Sequence, residues 1–265
     1  MFRRALFALL LARPLTAQSA ARSKTLLTGR DGAIGLGLVA AAAAISHFDP
    51  KISRWFRDTT LGHVRAGQQL DHYFTRINET TLTVAGIAAY GLGRLSKSRS
   101  LADVAFHTTE SIVTTSLASQ MIRGPLGRSR PQETDFLDQY DFHWFKGFGD
   151  FKYRSFPSIH SASGFAAATA LVEETRIRHP KALSIVRPIL YGLAITPGLS
   201  RMYLGQHWAS DVFVGAFIGT FVGMKVVRYS HTHPGNRFQN LFVPSNALST
   251  GGNSGGFVFT WGRTF

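Results

Sequence analysis

Six apolar segments, each bounded by helix start or stop signals, constrain this chain more than any other feature. They run over about 32–47, 80–95, 101–122, 160–175, 184–198 and 207–228. Each reads as a helix from its apolar run and its flanking breakers. Asn78-Glu79-Thr80 opens the second, and Gly124-Pro125 closes the third. The polar stretch 49–79 is expected to hold a surface helix, and no internal repeat occurs. At 265 residues one domain is expected. The prediction is therefore an all-α six-helix bundle over 31–228, followed by an irregular Gly-rich C-terminal tail at 229–265.

Up-and-down connection puts three polar clusters on one face: at the end of the third segment, the start of the fourth, and the junction of the fifth and sixth. The junction reads Ser200-Arg201, then His207, then Asp211. On a helix, His207 and Asp211 would share a face, and the carboxylate would fix the imidazole tautomer, leaving the other nitrogen free to attack. Gly205 suggests a loop feeding that helix, with His207 in its first turn, where backbone N–H groups and the helix dipole favour an anion. Arg123 and Arg130-Pro131 form the first cluster; Pro157-Ser158-Ile159-His160 forms the second. Taken singly, each has a plain structural reading: a helix-start histidine with an i,i+4 partner, a helix stop, a cap.

Together, in this order and spacing, the clusters resemble the type 2 phosphatidic acid phosphatase (PAP2) family. Its pattern is Lys-x6-Arg-Pro, Pro-Ser-Gly-His and Ser-Arg-x5-His-x3-Asp. The third motif matches in full; Arg123 replaces lysine in the first, and Ile159 replaces glycine in the second. The resemblance covers roughly 80–228. It implies a metal-independent hydrolase of lipid phosphate or diphosphate esters that works through a phosphohistidine. In that scheme His207 is the nucleophile, Asp211 orients it, and His160 protonates the leaving oxygen. Arg123, Arg130, Arg201 and Ser158 hold the phosphoryl oxygens. No cofactor or metal is implied. The same pocket resembles that of vanadate-dependent haloperoxidases, vanadate entering only as a phosphate mimic, and nothing in the sequence selects for halide oxidation. Arg123 keeps the charge of the family's lysine with a different reach. Ile159 would be strained if the glycine's role were a positive φ.

Net charge is +14, which suits anionic lipid or phosphorylated substrates. No compact basic-aromatic recognition motif points to nucleic acid. There are no cysteines, so disulfides and thiolate metal sites are excluded. The apolar runs are short for a bilayer of about 30 Å, and mean hydropathy is only +0.02; both favour a soluble bundle. His107, Glu110, Thr114 and Gln120 in the third segment would have to face the interior of a membrane bundle. Glu110 could pair with one of the arginines, though a plain interior contact fits as well. The distribution of Lys and Arg favours membrane insertion. Arg94, Lys97, Arg99, Arg176, Arg178, Lys181 and Arg187 gather opposite the motif face. That is a positive-inside pattern, placing the motifs toward a periplasm or exterior.

The N-terminus supports several readings. Basic Met1 to Arg4 precedes the apolar run Ala5 to Ala12, and Ala17-Gln18-Ser19-Ala20-Ala21 resembles a cleavage site. A cleaved signal would favour a soluble periplasmic broad-specificity acid phosphatase; an organellar transit peptide, since no acidic residue precedes Asp31, and a disordered basic leader at 1–30 are the other readings. A non-catalytic anion-binding membrane protein is the alternative of a different class. The loop 132–156, with Phe136, Tyr140, Phe142, Trp144, Phe145, Phe148, Phe151, Tyr153 and Phe156, reads either as a substrate-covering lid or as a packed surface loop. In the tail, Phe257, Phe259 and Trp261 alternate like one strand. His231 and His233, ahead of Pro234, read as solvated rather than as metal ligands. Oligomeric state is left open.

Overall fold

A computed structural model describes residues 28–58, 73–74 and 76–233. The signal-like leader through residue 27 and the tail with its alternating aromatics lie outside the described residues. Among those described, the fold is all-helical. Seven α-helices follow in order: α1 (Gly29–Ser46), α2 (Asp49–Asp58), α3 (Glu79–Leu95), α4 (Arg99–Leu126), α5 (Ile159–Arg178), α6 (Leu183–Tyr203) and α7 (Ala209–Thr232). The six expected helices are α1 and α3 to α7; α2 is the one expected in the polar stretch. Polar side chains set the starts. The Asn78 Oδ1 accepts the N–H groups of Thr80 and Thr81 at 3.0 and 3.1 Å, and Ser98 and Ser158 cap α4 and α5.

Three boundaries differ from the sequence reading. Helix α4 passes through Pro125 and stops at Gly127, whose φ of 58° is left-handed; a methyl there would meet the His143 carbonyl oxygen. Helix α6 passes through Pro188 and Pro197 and takes Ser200 and Arg201 into its last turns. Helix α7 begins only at Ala209, because the Asp211 carboxylate accepts the Trp208 N–H at 2.8 Å and fixes the start there. His207 therefore lies ahead of the helix.

Helix α5 is central, packed against α4, α6 and α7, while α3 packs on α4, α1 lies along α7, and α2 touches both α6 and α7. The closest packing is α5 on α7. Gly215, Gly219 and Gly223 of α7 lie four apart against Ser158, Ala162, Ala166 and Thr169 of α5, all of them buried. A Cβ on Gly219 would fall 2.1 Å from the Ala162 carbonyl oxygen. This small-residue seam is how helices approach when lipid supplies no hydrophobic drive between them. Gly219→Ala is expected to lower the thermal unfolding midpoint in detergent, at a cost of about 1–3 kcal/mol. Gly37→Ala, which adds a methyl with nothing within 4 Å inside α1, is expected not to lower it.

The polarity of the bundle is reversed relative to a water-soluble one. Ser111, Thr115 and Ser119 of α4 are buried, while Val113, Leu117 and Met121 of the same helix face outward. Leu36 and Val39 of α1, Val84 and Ile87 of α3, and Ile185, Ile189 and Leu193 of α6 are also exposed. An apolar exterior around a polar interior fits lipid as the surrounding medium. Residues Pro180–Tyr203 and Ala209–Thr232 are long and apolar enough to cross a membrane, and α1 with α2 passes the same test as a pair bent by 54°. Helix α4, at 28 residues, is about 42 Å long, well beyond its apolar run. Of the polar α4 residues expected inside, His107 is buried and Glu110 half-buried, whereas Thr114 and Gln120 are exposed.

Candidate active site

All three sequence clusters meet at one end of the bundle. The first turn of α5 carries His160, the last turns of α6 carry Arg201, and the turn between α6 and α7 carries His207. The α4–α5 connection supplies Arg130, and the end of α4 supplies Arg123. Arg201 Nη2 lies 2.6 Å from His160 Nε2. Gln206 Oε1 accepts from both Arg201 Nη1 at 2.9 Å and Arg130 Nη1 at 3.0 Å, tying two guanidinium groups together. Arg130 Nε donates to the Phe151 carbonyl, and its guanidinium lies 3.7 Å over the Phe151 ring. Arg123 Nη2 donates to the Pro157 carbonyl at 3.2 Å. Arg123 and Arg130 thus bond to carbonyl and amide oxygens, leaving their charge available to an anion.

His207 is 1% exposed, and its Nδ1 lies 3.6 Å from Asp211 Oδ2, an electrostatic contact rather than a hydrogen bond. The neighbourhood expected from i,i+4 spacing is present, but its cause differs. The turn before α7 brings His207 back toward a carboxylate that is already engaged. Asp211 accepts from Arg128 Nη1, from Ser155 Oγ at 2.5 Å and from the Trp208 N–H at 2.8 Å. The His207 Nδ1 and His160 Nδ1 atoms are buried without a hydrogen-bond partner.

Two residues that the sequence reading passed over complete the site. Arg128, inside the spacer of the first motif, is 2% exposed and bridges Asp211 to Asp49. Asp49, at the start of α2, is fully buried. It accepts the Ser210 N–H at 2.9 Å and Arg128 Nη2 at 2.9 Å, and it bonds the Ser210 hydroxyl. Asp49 and Ser210 are 161 positions apart. A carboxylate at a helix start is the only local signal, and it reads as a dipole-matched cap.

Ser158 is the N-cap of α5; its hydroxyl accepts the Ser161 N–H at 3.5 Å, and its own N–H donates to the Asp211 carbonyl at 3.0 Å. Ile159 is 3% exposed and is the first residue of the helix. Its φ is not positive, so the strain anticipated for this substitution is absent. Glu110 bonds Ser230 at the other end of the bundle, away from the site arginines. The aromatic loop is packed by its own polar anchors, as one of its two readings expected. Arg128 Nε holds the Gln139 carbonyl, and Ser129 Oγ holds Asp141, while Trp144, Phe145, Phe148 and Phe151 stay exposed on the rim.

Burial pushes His207 down to about 3; the Asp211 carboxylate works against this, and the Arg130 and Arg123 charges add to it. Burial, then Arg123 and Arg201, pushes Arg130 down to about 9. His207 is therefore an uncharged imidazole across the working range of an enzyme. The sign for stability follows. The unfolded histidine, near 6.5, binds a proton that the folded one refuses, so stability is lost as pH falls from about 6.5 toward 3. The thermal midpoint of the wild type is expected to fall more between pH 6.5 and 4 than that of His207→Gln, which has no proton to gain.

Comparison with known proteins places this geometry in context. The family model described as the PAP2 superfamily matches residues 105–234. A lipid A 1-phosphatase of Porphyromonas gingivalis is 42% identical over 69 residues, which is 26% of this chain and 15% of the relative. A lipid A 1-phosphatase of Rhizobium etli is 29% identical over 152 residues, 55% of this chain and 60% of the relative. Lipid phosphate phosphatase gamma of Arabidopsis thaliana is 28% identical over 181 residues, covering 65% and 73%. The chain thus spans less than two thirds of the two lipid A 1-phosphatases. Among solved structures, a transmembrane PAP2 type phosphatidylglycerolphosphate phosphatase from Bacillus subtilis matches with a TM-score of 0.51 at 22% identity. The match covers 78% of this chain and 98% of that one.

Proposed function

Because the chain belongs to the PAP2 superfamily, we propose that it is a membrane-embedded phosphatase that hydrolyses lipid phosphate or diphosphate esters without a metal. The observation that carries this reading is the convergence of two neutral histidines, His207 buried and His160 half-buried, with three arginines at one end of a bundle with an apolar exterior. Arg123, Arg130 and Arg201 neutralise the phosphoryl oxygens. His207 attacks phosphorus in line, forming an N–P bond as the ester P–O bond breaks. Asp211, anchored by Arg128, stabilises the positive charge that develops on the imidazole.

His160 supplies the proton to the leaving oxygen. In the resting arrangement its Nε2 accepts from Arg201, so the imidazole is neutral with its proton on Nδ1. A phosphoryl group draws Arg201 onto its own oxygens and adds negative charge. That frees Nε2 and raises its proton affinity. Nε2 takes up a proton from solvent or from a monoprotonated substrate phosphoryl group and passes it to the leaving oxygen as the P–O bond breaks. Water then attacks the phosphohistidine, with His160 as the base.

The exposed aromatic rim and the outward face of α2, with Trp55, Arg54 and Arg57, suit a lipid headgroup boundary. The basic opposite end supports an orientation with the site toward the periplasm or exterior. The test is phosphate release in mixed micelles from phosphatidate, from a polyprenyl diphosphate and from a water-soluble phosphomonoester, all with EDTA. Faster, EDTA-resistant turnover of the lipids is expected. Better turnover of the soluble ester would replace this reading with a broad-specificity acid phosphatase.

A further inference from the structure

A second polar cluster lies at the end of the bundle opposite the candidate active site and takes no part in the proposed reaction. Three helices contribute to it: His107 from α4, Glu174 from α5 and His231 from the last turn of α7. Glu174 Oε1 lies 2.6 Å from His107 Nδ1 and 2.8 Å from His231 Nε2. The three donor atoms all fall within 4.8 Å of one another.

We propose that His107, Glu174 and His231 bind a divalent transition-metal ion of the zinc class, clamping the ends of α4, α5 and α7 together. Two imidazoles and one carboxylate form a donor set suited to zinc, with a water molecule as fourth ligand. Tetrahedral bonds of about 2.1 Å place ligand atoms about 3.4 Å apart. The contacts of Glu174 with the two imidazoles, 2.6 and 2.8 Å, therefore need to widen by about 0.6–0.8 Å around the ion.

The surroundings hold the carboxylate in place. Arg178 Nε holds the other Glu174 oxygen, Oε2, at 2.7 Å, so Oε1 is aimed at the two histidines. Asp103 pairs with Arg178, Glu173 with Arg176 and Arg228, and Glu110 interacts with His107. The His107 residue is 2% exposed and its Nε2 is buried without a partner. Its Nδ1 is the nitrogen turned toward Glu174, the one the arrangement presents to an ion. The His231 side chain, 29% exposed, gives an ion a route in.

The sequence conceals this site because its ligands are 67 and 57 positions apart. His231 is drawn to Glu174, whereas its neighbour His233 stacks on Tyr229.

The test uses untagged full-length protein in detergent, stripped with a chelator, loaded with zinc chloride and gel-filtered before metal analysis. About one zinc per chain is expected to be retained by the wild type. Affinity is expected to drop at least tenfold in His231→Gln and Glu174→Gln. His231→Gln lies at the exposed edge, which guards against a folding failure at the buried positions. Cobalt in place of zinc should give the intense visible absorption of a four-coordinate ion in the wild type only. Zinc retention equal in wild type and His231→Gln, or none in either, would overturn the proposal and leave a hydrogen-bonded His-Glu-His group. Because the readout is metal content, failure here leaves the phosphatase reading untouched.

Discussion

His207→Ala is expected to abolish phosphate release, by roughly four orders of magnitude or more in kcat, with lipid binding retained. The size follows from what His207 alone supplies. The arginines can still gather the phosphoryl oxygens, but no other uncharged nucleophilic nitrogen occupies the turn before α7. His160 cannot substitute, since in the proposed geometry it stands on the leaving-group side, where it serves the departing oxygen and cannot attack in line. The variant should fold, because His207 Nδ1 makes no hydrogen bond whose loss would orphan a partner. The check is phosphate release from phosphatidate, beside a binding assay with a non-hydrolysable phosphonate. Turnover within tenfold of wild type would remove His207 from the mechanism.

The second large effect lies at Arg128. This guanidinium is 2% exposed and sits between two fully buried carboxylates, Asp49 and Asp211. Arg128→Met leaves both charges in the interior without their counter-ion. Breaking a buried pair in this way costs about 3–5 kcal/mol. Arg128→Met is therefore expected to be strongly destabilised as well as inactive. Asp49→Asn is the more informative partner. It keeps the shape and the acceptor for the Ser210 N–H, yet weakens the hold on Arg128. A fall in kcat of roughly tenfold to hundredfold is expected, from slight misplacement of Asp211 and His207, with KM nearly unchanged. A variant with a lowered unfolding midpoint and a normal kcat would make Asp49 a purely structural residue.

The six helices were legible because each combines an apolar run with a recognisable stop. Their ends were less so. Pro125 and Pro197 each remove one backbone donor, but neither halts its helix, because tertiary packing decides: Pro197 is buried and its ring meets Gly164. Apolar runs near fifteen residues understate spans whose inward faces carry Ser111, Thr115 and Ser119, so hydropathy averages hid a membrane-suited exterior. The candidate site was legible where its residues are local in sequence: Arg123 and Arg130, Ser158 and His160, Arg201, His207 and Asp211. The His207–Asp211 neighbourhood was anticipated from a helical repeat, whereas a capped turn produces it. Asp49, Arg128, Ser155 and Gln206 were not legible, since buried polar pairing across long separations leaves no periodic trace.

The central claim is that His207 carries the phosphoryl group. Its most direct test is rapid acid-free quenching of the purified protein during turnover of phosphatidate labelled with radioactive phosphate, followed by peptide mapping. The account predicts label that is stable to alkali, labile to acid, confined to the peptide containing His207 and absent from His207→Ala. Label on any other residue, or steady turnover by wild-type protein with no trapped phosphohistidine under conditions that slow hydrolysis, would contradict it.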